Sequence, residues 1–98
     1  MYAEEHYTIL NSGVDAWNRW RNDNPQIRPN LESVDLSSGV LNGIKFDHTD
    51  LPVAVLRGAS LQESIFEATN LSGADLTAAD LRRAWFPGAD LRVRFLDR

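Results

Sequence analysis

The side chains capable of chemistry are few, and most recur at regular intervals. The histidines are His6 and His48, and no third ligand stands at metal-site spacing from either. The pair therefore reads as structural or solvated, with no metal centre. Acids and amides recur at Asn30, Asp35, Asp50, Asn70, Asp75, Asp80 and Asp90. Two carboxylates at a suitable distance could serve as general acid and base, but a periodic recurrence points to a structural task repeated along the chain. The chain has no cysteine, which excludes a disulfide framework and a thiolate metal site. Its glycines fall at intervals and form no phosphate-cradling run. No nucleophile–base constellation stands out, so the expectation is a protein that is not an enzyme and uses no cofactor. Near the C-terminus, Arg82, Arg83, Arg92 and Arg94 accompany Trp85 and Phe95, a faint form of the basic–aromatic interleaving found in nucleic-acid binders.

Charge weakens that last reading. The 98 residues carry a net charge of −4. Residues 1–81 hold twelve acids and five bases, whereas residues 82–98 hold five arginines and two aspartates. An acidic body with one small basic end is a poor nucleic-acid binder. The basic end suits an acidic protein surface, another copy of the chain included. No apolar run is long enough to span a bilayer. The first residues, Met1-Tyr2-Ala3-Glu4-Glu5, are acidic where a signal peptide is basic. The expected location is the cytoplasm, away from membranes.

A strict repeat positions these residues. From Leu31 to Leu96 every fifth residue is Leu or Phe, fourteen positions without a slip of register. The residue two before each is small through most of the run, as at Ala54, Ala59, Ser64, Thr69, Ala74 and Ala79. A period of five is neither the 3.6 of a helix nor the 2 of a strand. One large and one small inward site per five residues imply a chain that advances briefly and turns a corner, its coils stacking about 4.8 Å apart. Phe46, Phe66 and Phe86 are spaced by twenty, which suggests four sides per coil and an internal phenylalanine column.

The segments Ala74-Asp75-Leu76-Thr77-Ala78, Ala79-Asp80-Leu81-Arg82-Arg83 and Ala89-Asp90-Leu91-Arg92-Val93 match A-(D/N)-L-x-x. In this the chain resembles the pentapeptide-repeat family over residues 29–98. The resemblance implies a β-solenoid, specifically a right-handed quadrilateral β-helix of about 3.5 coils, with coils at 29–48, 49–68 and 69–88 and a half coil to 98. The first coil departs from the pattern, with Val34, Gly39 and Ile44 at small sites and Val40 and Lys45 in place of Asp or Asn. Some members of the family resemble duplex DNA and inhibit or protect DNA gyrase. This chain departs from them in its short rod and uneven charge. The preferred reading is a rigid, non-enzymatic scaffold for protein–protein contact, with gyrase modulation by DNA mimicry as the alternative.

Residues 1–28 form a separate unit that resembles the helical cap preceding such arrays in cyanobacterial proteins. One amphipathic helix is expected from Glu4 to about Arg21. Its apolar face carries Leu10, Val14 and Trp17, widened by Ile9, Gly13, Ala16 and Trp20, with Asn11, Asp15, Asn18 and Asn22 opposite. Gly13 inside it implies a close packing contact. Arg19 and Arg21 complement the dipole at the C-terminal turn, and Asn24-Pro25 stops the helix. The tryptophans Trp17 and Trp20 read as core, because a repeat array exposes an apolar cross-section that a cap must cover. At the other end no cap follows, and the bulky Arg94 at a small site ends the array. The C-terminal end is expected to meet a protein partner or a second copy. Ile65, Trp85, Arg94, Phe95 and Leu96 are the candidate partner surface.

Overall fold

The computed structural model describes residues 1–94. It opens with two helices, α1 (Glu4–Leu10) and α2 (Val14–Asp23), where the hydrophobic pattern predicts one. The chain breaks at Asn11–Gly13, whose amides fold back on the Tyr7, Ile9 and Leu10 carbonyls. Gly13 adopts φ 110° and ψ 168°, and nothing lies within 4 Å of the place a Cβ would occupy. It is glycine for its backbone conformation and not for close packing. The break redirects α2 across the end of the array. Asn24 closes α2, its side-chain amide donating to the Trp20 carbonyl at 3.0 Å, and Pro25 follows.

From Asn30 onward the chain forms a β-solenoid. Single-residue parallel bridges join residues twenty apart, beginning with Asn30↔Asp50, Asp35↔Val55, Val40↔Ser60 and Lys45↔Ile65 and ending with Asn70↔Asp90. No longer strand occurs among the described residues. Each five-residue unit is built alike. In the unit 51–55, Leu51 points inward, and Ala54 N–H closes a turn on the Leu51 carbonyl at 3.2 Å. Val53 N–H donates to Ser72 O of the next coil, and Val55 N–H donates to Val34 O of the previous one, both at 2.8 Å. Backbone polar groups buried between coils are thereby paired.

The second turn residue of each unit from Ser33 to Gly88 has positive φ, from 52° at His48 to 75° at Gly43. That is the signature of a type II turn, which favours glycine or asparagine there. Glycine fills Gly43, Gly58, Gly73 and Gly88, but Ser33, Glu63, Ala68 and Arg83 adopt the same conformation. Val53, at φ 59°, is the most strained because it is β-branched.

The recurrent acids and amides have a structural task in these turns. Their Oδ1 accepts the backbone N–H two residues on: Asn30 from Glu32, Asp35 from Ser37, Asn70 from Ser72, Asp75 from Thr77, Asp80 from Arg82 and Asp90 from Arg92. This is the Asx turn. Asp50 is followed two residues on by Pro52, which has no N–H, and its Oδ1 accepts from Arg28 Nε at 2.8 Å instead.

The core is the stack of Leu and Phe residues. Leu31, Phe46, Leu51, Leu56, Leu61, Phe66 and Leu71 are fully buried. Each such burial contributes roughly 1.5–3 kcal/mol. Phe46, Phe66 and Phe86 form the expected column, with centroid separations of 5.9 and 5.0 Å, and Trp17 continues it into the cap at 5.7 Å. The hydroxyls buried at small sites are satisfied: Ser64 donates to Leu61 O and Thr69 to Phe46 O.

Candidate interaction surfaces

A solenoid has two rims, each a row of ladder groups awaiting the next coil. At the N-terminal rim the cap supplies the missing coil with side chains. Asn30 N–H donates to His6 Nδ1 at 3.0 Å, and Asn30 O accepts from Ala3 N–H at 3.0 Å. Lys45 N–H donates to Asn18 Oδ1 at 2.8 Å, Lys45 O accepts from Trp17 Nε1 at 2.7 Å, and Asn18 Nδ2 reaches Gly43 O at 3.0 Å. Bridge positions 30 and 45 are therefore closed. Positions 35 and 40 of the same rim bridge only the following coil, with no partner on the cap side among the described residues, and Val40 is 75% exposed. The cap covers one side of the rim only.

Arg21 secures the cap. Its guanidinium is buried, with Nη1 donating to Asn24 O and Ile27 O and Nη2 reaching Asp47 O. Its Nε, also buried, has no partner among the described residues. Burial lowers its pKa, an effect that Asp47 opposes from 3.9 Å. Two expectations are corrected here. Asn18 faces the array and not the polar side, because its carboxamide replaces a peptide group of the absent coil. Arg21 is a latch and not only a dipole partner. Its position was readable, since Arg21 continues the Leu10, Val14, Trp17 stripe. No pattern marked Asn18, whose polarity fits either role. His6 acts as a backbone surrogate, and His48 is an exposed turn residue with Nδ1 3.6 Å from Asp47.

Toward the C-terminus burial fades. Leu81 and Phe86 are only partly buried, and Leu91 is 49% exposed, where the equivalent Leu51 and Leu71 are sealed. The amides of Leu81 and Phe86 have no acceptor among the described residues. The regular turn also fails: Val93 N–H bonds Leu91 O at 2.7 Å, and Arg94 N–H reaches Ala74 O at 2.8 Å. Both bonds come one residue early relative to the repeat. Arg94 is exposed, while Phe95 and Leu96 lie outside the described residues.

This rim is edged by ion pairs. Arg82 pairs with Asp80 at 2.8 Å and Arg92 with Asp90 at 2.7 Å. Hydrogen bonds from those arginines hold both carboxyls below the ordinary range, Asp90 at about 2. The remaining candidates lie on the side. Ile65 is half-buried and bridges Lys45 above and Trp85 below, and Trp85 is 60% exposed. The structure thus separates the predicted surface into a rim around Arg94 and a lateral stripe of Ile65 and Trp85. No group of three or more His, Cys, Asp or Glu among the described residues is placed to hold a metal ion. No described helix is long and apolar enough to cross a membrane.

The family model for pentapeptide repeats matches residues 54–92 in eight copies. No curated protein sequence matches the chain. Among solved structures, the crystal structure of a pentapeptide repeat protein, Rfr23, from the cyanobacterium Cyanothece 51142 is 21% identical, with a TM-score of 0.31. That alignment covers 68% of this chain and 54% of the other, so the chain spans little more than half its length. Residues 54–92 thus carry the repeat that the pentapeptide-repeat family model describes.

Proposed function

We propose that the chain is a non-enzymatic scaffold of the cytoplasm that makes protein–protein contact through its C-terminal rim, with a second copy as the simplest occupant. In this reading the solenoid is a right-handed, four-sided β-helix of about 3.5 coils, a shape supported by the bridges joining residues twenty apart. The observation that carries the functional reading is the loss of burial from Leu71, fully buried, to Leu91, 49% exposed. Apolar surface at this rim, with the Leu81 and Phe86 amides lacking an acceptor among the described residues, favours a protein cover. The rim's mixed Asp–Arg edge is compatible with a self-complementary contact.

Sedimentation equilibrium over a wide concentration range tests it. A concentration-dependent dimer, abolished by Leu91→Glu, is expected. A strict monomer at high concentration eliminates self-association through this rim.

A further inference from the structure

The chain holds a single Asn-Gly pair, Asn42-Gly43, at an outward corner of the first coil. Asparagine before glycine readily loses its side-chain amide, because no Cβ on the second residue hinders the backbone nitrogen from reaching the asparagine carbonyl. Asn42 is exposed, and nothing lies within 4 Å of where a Gly43 Cβ would stand. Sequence and access therefore favour the reaction. The hydrogen bonds oppose it. Asn42 Oδ1 accepts from Gln62 N–H at 2.8 Å and from Ser60 Oγ at 2.7 Å. Gly43 N–H donates to Gln62 O at 2.8 Å, and Gly43 O accepts from Asn18 Nδ2 at 3.0 Å. The pair is clamped by the second coil on one side and by α2 on the other.

We propose that Asn42 is a deamidation site, held shut by these contacts and opened when the first coil parts locally from its neighbours. In the reaction hydroxide takes the Gly43 N–H proton, and the nitrogen attacks Asn42 Cγ. The Cγ–Nδ2 bond breaks, and ammonia departs with a proton from water, leaving a succinimide. Water opens that ring at either carbonyl, giving aspartate or isoaspartate. The two donors on Oδ1 polarise the carbonyl, but the nucleophile cannot form in place. A deprotonated Gly43 nitrogen would face the Gln62 carbonyl at 2.8 Å with no proton between them. The products differ in consequence. Aspartate keeps the backbone length and the Oδ1 acceptor. Isoaspartate carries the main chain through Cβ and lengthens it by a methylene upstream of Lys45, whose N–H and O must meet Asn18 and Trp17. Local fraying at the cap seam thereby becomes a permanent break in it. The site does not depend on what covers the C-terminal rim.

Peptide mapping by mass spectrometry, on the full chain kept in warm, mildly alkaline buffer and on the same chain unfolded in urea, tests the proposal. Folded Asn42 is expected to react at least about tenfold more slowly than in the unfolded chain. Asn18→Ala is expected to speed the folded reaction at least about threefold. Leu71→Ala, which weakens the middle of the array, is expected to speed it less. The isolated isoaspartyl protein is expected to lose hydrogen-exchange protection at the Lys45 amide, and Asn42→Asp to keep it. Equal rates in the folded and unfolded chains overturn the proposal. So does a Leu71→Ala rate that matches or exceeds that of Asn18→Ala, or an isoaspartyl product whose Lys45 amide is as protected as in the unmodified chain.

Discussion

The two rims face the same physical problem and meet it differently. At the N-terminal rim, side chains of α1 and α2 stand in for a coil that is absent: His6 and Asn18 accept the amides of Asn30 and Lys45, and Trp17 donates to a carbonyl. At the C-terminal rim the ladder amides of Leu81 and Phe86 have no such partners among the described residues, and the last phenylalanine of the column is only partly covered. The contrast shows what closing a rim requires. An apolar lid must be joined by donors and acceptors at the bridge positions, since a buried orphan polar group costs about 1–3 kcal/mol. The cap meets that requirement at two bridge positions of its rim, 30 and 45, and leaves 35 and 40 open.

The largest expected effect is at the sealed rim. Trp17→Ala removes the residue that joins the phenylalanine column to the cap, and it leaves Lys45 O without its donor. Chemical denaturation should report a loss of roughly 3–5 kcal/mol. A loss under about 1 kcal/mol would mean that the cap is an ornament of the array. Next, one substitution in equivalent places calibrates the gradient. Leu71→Ala should cost roughly 2–5 kcal/mol, and Leu91→Ala, in dilute monomer, about 1 kcal/mol or less. Equal costs would remove the distinction between middle and rim. Asn18→Ala strips the partners from Lys45 N–H and Gly43 O together, so about 2 kcal/mol is expected in the same measurement.

The smallest effect is with pH. The carboxyls of Asp35, Asp75, Asp80 and Asp90 are held below their usual range, in each case first by a side-chain hydrogen bond, from Ser37, Thr77, Arg82 and Arg92 respectively. Because the folded values lie below the unfolded value near ~3.9, the stabilisation is complete above that pH and is lost as acid takes the pH down through the folded values. Asp75 and Asp80 lie in the coil 69–88 and Asp90 just after it, whereas the Asn18 and Trp17 bonds at the opposite rim do not titrate. Melting temperatures recorded from pH ~5 to ~2 should fall. They should fall less steeply in Asp75→Asn, which keeps the Oδ1 acceptor that Asn70 uses in the same role. An identical slope in both proteins would remove Asp75 from this account.

The array was legible in the sequence because every unit solves its geometry locally. Leu or Phe fills the centre, a small residue fits the corner, and Asp or Asn holds the turn through the amide two residues ahead. Even the twenty-residue coil was visible in Phe46, Phe66 and Phe86. The cap was legible only as an apolar object. Its break at Gly13 depends on a backbone angle, and Asn18 acquires meaning only once α2 lies across Lys45. The stripe through Leu10, Val14 and Trp17 did point to Arg21, but a charged residue on an apolar face is easily assigned to the helix dipole.

Amide hydrogen exchange, followed residue by residue at low and high protein concentration, tests the contrast between the rims most directly. The account predicts that the Asn30 and Lys45 amides are protected at every concentration, while those of Leu81 and Phe86 exchange rapidly when dilute and gain protection as the chains associate. Rapid exchange at Lys45, or Leu81 and Phe86 amides whose exchange never responds to concentration, would contradict it.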